Sequence, residues 1–272
     1  MVGEKIVITT GTAQTTRHRI RGIVNRKDTQ MVLLDTPGVH KPEQTMGEKM
    51  IEKVYQSWED VDVLLFVVDA MNGAGSGDEF IAERLKNISV PIIMAANKID
   101  RIGDQRMQQQ LDIFHKMGSW EDVIPISAKE GKNVERLIGR IQQLLPEGPR
   151  YFPDDAVTDR PLTFRFSEMI REKLMRFTRE EIPHSITVLV DRIEPSDDGT
   201  KIIVESTIYV ERDSQKGIVI GKEGHRIKQV GKLARKEMEQ LLDSEVYLDL
   251  HVKVAPNWRE DEGELRRLGL IE

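Results

Sequence analysis

The stretch IIMAANKID at residues 92–100 decides the fold of the first half of the chain. Its apolar part is too short to cross a membrane and too continuous for a strand with one wet face. It therefore predicts a parallel strand that is buried on both faces and ends abruptly in polar side chains. Ligands of open α/β sheets bind at that end of the strands.

The polar side chains that end this strand suit a purine base. Asn97 offers an amide that both donates and accepts, and Asp100 offers an acceptor-only carboxylate. A carboxylate matches guanine, whose N1–H and N2–H groups both donate, and it repels adenine. The stem of Lys98 can cover a flat base. Taken alone, this short pattern is also typical of a solvated helix start.

The composition describes a protein without thiol chemistry. The 272 residues contain no cysteine, which excludes disulfides, thiolate metal ligands and cysteine nucleophiles and is compatible with a reducing cytosol. No apolar run approaches the ~20 residues that cross a bilayer. Because the net charge is −6, any surface for nucleic acid must be local. We expect a soluble protein of two domains.

Other predicted strands also end in polar residues. Met31–Leu34 runs into Asp35-Thr36-Pro37-Gly38, where a carboxylate can hold Mg²⁺ through water and a glycine lets a backbone N–H approach a phosphate. Val123–Ile126 ends in Ser127-Ala128-Lys129, and Val63–Asp69 is predicted as a further buried strand. On its own, Asp-x-x-Gly is a common turn.

Segments of helical periodicity alternate with these strands, at about residues 43–58, 78–87, 105–116 and 134–145. The alternation predicts an α/β fold with a doubly wound parallel sheet. The Gly-rich loop at residues 73–77 lacks Gly-Lys-Ser/Thr at its helix start, so we interpret it as a connector.

The order of the three strand-end motifs resembles the third, fourth and fifth sequence elements of the translation-factor class of P-loop GTPases. The resemblance implies GTP or GDP with Mg²⁺ as cofactors. Thr16, within Gln14-Thr15-Thr16-Arg17, matches the threonine of switch I that coordinates Mg²⁺ in the triphosphate state. The implied metal ligands are Thr16 and Asp35, and the implied catalytic residues are Thr16, Asp35 and Gly38.

The same resemblance assigns the two ends of the nucleotide. The Ala128 N–H is expected on the guanine O6, and Gly38 near the γ-phosphate. The implied guanine-binding residues are Asn97, Lys98, Asp100, Ser127, Ala128 and Lys129. The implied phosphate and switch residues are Thr15, Thr16, Asp35, Thr36, Pro37 and Gly38.

Two features depart from this class of GTPase. Val39 follows Gly38, where Ras-like enzymes have the glutamine that orients the attacking water, so hydrolysis is expected to be slow or to use another group. No Gly-x-x-x-x-Gly-Lys-Ser/Thr sequence occurs in the chain. We therefore expect the first strand and P-loop of the sheet to belong to a longer protein, with an intact mass above 31.2 kDa.

A second domain is predicted after the non-periodic, Pro-rich stretch at residues 146–155. Ser167 is a plausible N-cap for a helix over residues 168–181 that Pro183 closes. Strands are predicted at 186–193, 201–210 and 246–254, the first two joined by a hairpin.

The pattern Ile-Gly-x-x-Gly-x-x-Ile-Lys at residues 220–228 resembles the RNA-binding loop of a type II KH domain. Its glycines permit a sharp turn at a helix start, where a nucleic-acid backbone can pass close to N–H groups. Residues 212–236 hold eight Lys and Arg against two acidic residues, a local charge of +6. A solvated basic helix is the alternative. The RNA-binding residues implied are Ile220, Gly221, Lys222, Glu223, Gly224, His225, Arg226 and Lys228.

Inside this loop, Glu223 would oppose a phosphate. We therefore expect weaker RNA binding than in relatives that have an uncharged residue at that position.

Together, the two halves resemble the bacterial Era family of GTPases. The boundaries expected are 1–149 for an N-terminally incomplete GTPase domain, 150–161 for a linker and 162–272 for the KH domain. The family implies a monomeric cytoplasmic factor that binds the 3′ end of 16S rRNA during assembly of the 30S subunit and contacts the inner membrane peripherally. The alternative is a nucleotide-independent KH scaffold with a decayed GTPase domain.

Overall fold

The structure is a computed structural model that describes residues 1–9, 16–17, 20–36, 54, 58, 60–178 and 182–271. The helix predicted at residues 43–58 lies almost wholly outside this part of the chain. Thr15, Pro37, Gly38 and Val39 lie outside it as well.

The first domain contains a parallel sheet built as the sequence predicts. Strands β3 (Leu64–Asp69), β4 (Ile92–Asn97) and β5 (Asp122–Pro125) are hydrogen bonded in that order. Three helices connect or follow them: α1 (Ser76–Leu85), α2 (Asp104–Lys116) and α3 (Val134–Leu144).

Strand β4 is buried on both faces, which confirms its predicted place in the middle of the sheet. Ile93 and Ala95 pack toward α3, in a core that includes Leu137. Met94 and Ala96 point to the other face and pack with Phe114 of α2. Because neighbouring residues of a strand point to opposite faces, one short apolar run fills both layers of core.

The prediction that β3 is buried is wrong. Val67 is 52% exposed, and only Val68 in this strand is fully enclosed. The reason is the position of β3 at the edge of the sheet, where β4 is its single hydrogen-bonded neighbour among the described residues.

A separate antiparallel pair precedes this sheet. β1 (Ile20–Asn25) pairs with β2 (Gln30–Asp35) so that Ile20 lies opposite Asp35. Val24 and Met31 share the core of Ile93 and Leu137, although no ladder joins β2 to β3 within the described residues.

The segment at residues 150–159 follows the outer edge of β1. The Ile23 N–H donates to Val157 O at 2.9 Å, and Gly22 forms an isolated bridge with Thr158. Asn25 and Gln30 donate side-chain amides to carbonyls at residues 152–156. This segment therefore covers a strand edge that would otherwise present unpaired backbone groups.

The second domain contains the predicted first helix and three strands, and two helices lie between the second strand and the third. Helix α4 (Leu162–Phe177) and the short α5 (Ile182–Ser185) precede the strand pair, and helices α6 (Asp213–Ile220) and α7 (His225–Leu242) follow it. The strands are β6 (Thr187–Pro195), β7 (Ile202–Val210) and β8 (Val246–Val254), with β7 antiparallel to β6 and parallel to β8.

The predicted start of α4 is wrong. The helix begins after Pro161, and Ser167 lies inside it, where its hydroxyl donates to Phe164 O at 2.8 Å. Pro161 is the N-cap, a position at which the missing N–H of a proline would have no partner within the helix. The helix also ends earlier than predicted, at Phe177, so Pro183 lies in α5 and does not terminate α4.

Two cores enclose the sheet of the second domain. On one face, Ile170 of α4 and Ala234 of α7 pack against Val204 and Ile208 of β7. On the other face, the chain after β8 covers Tyr209 with a fully buried Trp258 and with helix α8 (Glu262–Arg267). The chain after β8 is therefore part of the core of the second domain.

Candidate functional sites

The ends of β4 and β5 bring Asn97 and Ala128 together. The Asn97 Oδ1 accepts from the Ala128 N–H at 3.0 Å and from the Lys98 N–H at 2.8 Å. Lys98 has a left-handed backbone with φ of 70°, which turns the chain sharply after the strand. The amide of Asn97 thus connects the loop after β4 to the loop after β5. The sequence predicts that both loops contact the guanine base.

Asp100 is oriented by Ser127, in agreement with their predicted proximity. The Ser127 hydroxyl is buried, donates to Asp100 Oδ1 at 2.6 Å and accepts from the Glu130 N–H at 3.2 Å. This hydrogen bond holds the pKa of the Asp100 carboxyl below its usual range, and nearby Lys129 acts in the same direction. A charged carboxylate with one oxygen fixed and partial exposure is suited to accept two N–H groups of a ligand.

Asp69 is a residue of this site that the sequence reasoning missed. It ends β3, and its Oδ2 lies 2.7 Å from the Lys98 Nζ. Burial acts to raise the pKa of Asp69, but hydrogen bonds from Lys98 and from the Met71 and Asn72 N–H groups outweigh burial and lower it. The signal was present, because Asp69 ends a predicted strand as Asp35 does.

Thr16 and Asp35 meet at the end of β2. The Thr16 hydroxyl donates to Asp35 Oδ2 at 3.0 Å, and the half-buried Thr36 follows in the chain. Asp35 is exposed as a residue, yet partial desolvation raises the pKa of its carboxyl, and the Thr16 hydroxyl offsets part of this rise.

The oxygens of Thr16 and Asp35 suit a magnesium ion whose remaining ligands come from a bound nucleotide and from water. Mg²⁺ in such sites takes one or two protein oxygens and completes its shell with phosphates and waters. Within the described residues, no group of three or more His, Asp and Glu side chains could hold a metal by itself. Gly38, predicted beside the phosphate, lies outside the described residues.

The glycine loop joins α6 to α7 and lies at the start of α7, where the sequence predicts a turn. Gly221 and Gly224 have positive φ values of 76° and 74°, and Glu223 between them is also left-handed at 52°. A Cβ on Gly221 would lie 2.7 Å from the Arg226 Cβ, so a side chain at position 221 meets both strain and a clash. The half-buried Ile220 ends α6, and Arg226 donates to the carbonyl of Ile218 in the last turn of that helix.

Exposed basic side chains extend from this loop along α7. Lys222, His225 and Lys228 are exposed, and Lys232 and Lys236 continue the row at helical spacing. No ion pair joins these four lysines to a carboxylate in the described part of the chain. Arg235 is different, since it lies 3.6 Å from Glu239. The row therefore offers free ammonium groups to phosphates.

None of the helices in the described residues is long and apolar enough to cross a membrane.

Comparison with known proteins identifies both domains. Residues 1–98 match the family described as 50S ribosome-binding GTPase, and residues 181–259 match the KH domain. The class of protein is therefore a GTPase with a C-terminal KH domain, as the sequence predicted.

Relatives along the whole chain specify the family. GTPase Era of Staphylococcus haemolyticus is 45% identical over all 272 residues, which cover 91% of that protein, and GTPase Era of Staphylococcus epidermidis is 44% identical with the same coverage. The chain belongs to the Era family of GTPases.

Solved Era structures share the fold of this chain. Era in complex with MgGDPNP and nucleotides 1506–1542 of 16S ribosomal RNA matches with a TM-score of 0.96 and 40% identity, over 99% of this chain and 92% of that one. A tyrosine-to-alanine variant of Aquifex aeolicus Era bound to GDP·AlF₄⁻ matches with the same TM-score, identity and coverage. The predicted α/β fold followed by a KH domain is confirmed.

Proposed function

We propose that this chain is a GTP-binding and GTP-hydrolysing factor that binds the 3′ end of 16S rRNA and acts in assembly of the small ribosomal subunit. The observation that carries the proposal is the Asn97, Asp100, Ser127 and Ala128 cluster, since its hydrogen bonds preorganise a guanine edge. The relatives of the Era family support the same function.

The base half of the site selects guanine. Asp100 accepts the N1–H and N2–H of guanine through a carboxylate that Ser127 orients and whose pKa Ser127 lowers. The Ala128 N–H donates to Asn97 Oδ1 in this structure, so its proposed bond to the guanine O6 replaces or shares that contact. Lys98, held toward Asp69, covers one face of the base with its stem.

The phosphate half begins at Thr16 and Asp35. These oxygens would hold Mg²⁺, which when bound neutralises the charge that develops on the phosphates during hydrolysis. Thr15, Thr36, Pro37 and Gly38 flank this pair in the sequence and are proposed to contact the phosphates. Val39 has no hydrogen-bonding side chain to orient a water, so we expect slow intrinsic hydrolysis.

The glycine loop and the start of α7 form the proposed RNA surface. The backbone of residues 220–224 approaches a phosphate, Lys222 and Lys228 add positive charge around it, and the exposed His225 offers an imidazole ring. Arg226 contributes differently, because its guanidinium donates a hydrogen bond to the Ile218 carbonyl and so connects the start of α7 to the end of α6.

The sharpest test of the nucleotide site exchanges the base that it accepts. Asp100→Asn turns an acceptor of the guanine N2–H into a donor suited to the O2 of xanthine. We expect GDP affinity to fall about 10- to 100-fold, the range of one or two hydrogen bonds to a charged group, and XDP affinity to rise. Fluorescent GDP and XDP measure both, and the exposed Asp104→Asn is the matched control.

The test of the RNA site uses a labelled RNA with the sequence of 16S nucleotides 1506–1542. Gly221→Asp combined with Gly224→Asp should abolish binding, because two carboxylates would face the phosphates. RNA binding without any GDP or GTP binding would instead favour the nucleotide-independent scaffold.

Two further assignments are proposed from the family resemblance alone. The protein is a cytoplasmic monomer, which gel filtration with light scattering tests. It contacts the inner membrane peripherally, which co-sedimentation with anionic lipid vesicles tests.

A further inference from the structure

We infer that Arg17 is a positioning residue that couples the nucleotide site of the first domain to the KH domain. The inference rests on the proposed function, because it concerns how GTP binding and RNA binding affect one another. Arg17 directly follows Thr16, whose hydroxyl reaches Asp35 at the proposed magnesium site. The two adjacent side chains therefore contact different domains.

The guanidinium of Arg17 is docked in the second domain and is buried. It donates to Ile186 O at 2.6 Å, to His184 O at 2.9 Å and to Pro183 O at 3.1 Å. Its planar group also lies 5.8 Å from the ring centroid of Trp258. Three carbonyls at the end of α5 thus hold one fork of donors, an arrangement that the ammonium of a lysine cannot reproduce.

The docking is maintained at an electrostatic cost. Burial lowers the pKa of Arg17 to about 9, and the proximity of Arg171 adds to that shift. A buried cation is expensive, so its location inside the second domain requires these specific hydrogen bonds. A cavity of about 240 Å³ adjoins Arg17.

Lys5 and Thr9, which precede Thr16 in the chain, also contact the KH domain. Lys5 lies 2.5 Å from Glu172 of α4 and 2.7 Å from Glu237 of α7, and the Thr9 N–H points to Glu172 at 3.4 Å. The Glu172 side chain is only 1% exposed. Lys5 is therefore attached to α4 and to α7, the helix that starts at the glycine loop.

These contacts define a mechanical connection. When Thr16 binds at the magnesium site, Arg17 cannot move far without breaking its bonds to residues 183–186. Conversely, a shift of α5 and Trp258 would pull Thr16 away from Asp35. The docked Arg17 and the Thr16–Asp35 contact should therefore stabilise one another, and coupling between two ligands must be reciprocal.

The experiment measures coupling in the full chain. The affinity of a labelled RNA with the sequence of 16S nucleotides 1506–1542 is determined with saturating Mg·GDP and with saturating Mg·GDPNP, and the ratio of the two dissociation constants is the coupling factor. In the wild type we expect a factor of at least about five. In Arg17→Ala this coupling factor should lie within about twofold of unity, and the affinity for GDPNP should fall relative to the affinity for GDP.

Two variants control for a merely structural effect. Arg17→Lys keeps the positive charge but lacks the planar, forked set of donors. Its coupling factor should therefore lie between those of the wild type and Arg17→Ala. Arg26→Ala removes an exposed arginine paired with Glu135 in the first domain, so it should leave the factor unchanged. A structural residue would change both RNA affinities equally and leave their ratio at the wild-type value.

Trp258 provides a spectroscopic readout. With Trp58 and Trp120 replaced by Phe, the emission of Trp258 reports the guanidinium beside its ring. Exchange of GDP for GDPNP should change this emission in the wild-type background and not in Arg17→Ala.

The outcomes separate this inference from the proposed function. If nucleotides or RNA fail to bind the wild type, both are overturned. If both bind and the factor is unity, or if Arg17→Ala retains the wild-type factor, only the role of Arg17 is overturned.

Discussion

The ammonium of Lys98 lies 2.7 Å from the carboxylate of Asp69, so the end of β3 orients a side chain that belongs to the end of β4. Asp69→Asn removes the charge that attracts Lys98. Because the pair is partly exposed, we expect GDP affinity to fall by about two- to fivefold. Competition against fluorescent GDP measures this change, and Asp112→Asn on the exposed face of α2 is the control. Unchanged affinity would mean that Lys98 is positioned without Asp69.

Ser127→Ala should change the pH dependence of nucleotide binding. The Ser127 hydroxyl depresses the pKa of Asp100, so its removal raises that pKa. A depressed pKa keeps the carboxylate charged to lower pH, and its stabilising effect is lost only as the pH falls through the folded-state value. GDP binding by Ser127→Ala should therefore fail at a higher pH than in the wild type. NMR titration of the Asp100 carboxyl carbon checks the cause, and coincident titration curves would contradict it.

Gly221 and Gly224 should differ in their tolerance of alanine. Both have positive φ, which costs about 1–2 kcal/mol for a residue with a Cβ. Only Gly221 adds a contact of 2.7 Å with Arg226, whereas the nearest atom to a Cβ at Gly224 is 3.9 Å away. Gly221→Ala should therefore lower the thermal stability and RNA affinity more than Gly224→Ala. Equal losses would show that the contact with Arg226 adds nothing to the effect.

Glu223→Gln should strengthen RNA binding. Glu223 is exposed in the middle of the loop, where its charge opposes an approaching phosphate. Removal of one such charge corresponds to about 1 kcal/mol in water at 4 Å, or roughly fivefold in affinity at low salt. The gain should shrink as salt increases, because exposed charges are screened. Glu79→Gln in the first domain is the charge-matched control, and a gain of equal size there would mean that net charge alone is responsible.

The nucleotide-site cluster could be predicted because its residues are local to strand ends. The apolar run of β4 predicts that Asn97 and Asp100 lie at the end of that strand. The apolar run of β5 predicts the position of Ser127 in the same way. The position of Asp69 at the end of β3 could be predicted by the same reasoning. The start of α4 was also available, since Pro161 is a better signal for a helix start than Ser167.

The role of Arg17 could not be predicted in this way. An arginine within a polar, Thr-rich loop normally indicates solvent exposure, and this stretch has no periodicity. Its burial depends on carbonyls at residues 183–186, which are far away in sequence. The exposure of Val67 escaped prediction for a similar reason, because an apolar run does not reveal which strand lies at an edge.

The attachment of residues 150–159 to β1 determines where the protein can be divided. Arg150 donates to the carbonyls of Arg26 and Lys27, and Arg21 pairs with Asp159, so this segment belongs physically to the first domain. We propose that the pivot between the domains lies at Arg160 and Pro161, later than the start of the predicted linker. A fragment that stops at residue 149 would expose the edge of β1 and should aggregate, whereas one that extends to residue 159 keeps that edge covered.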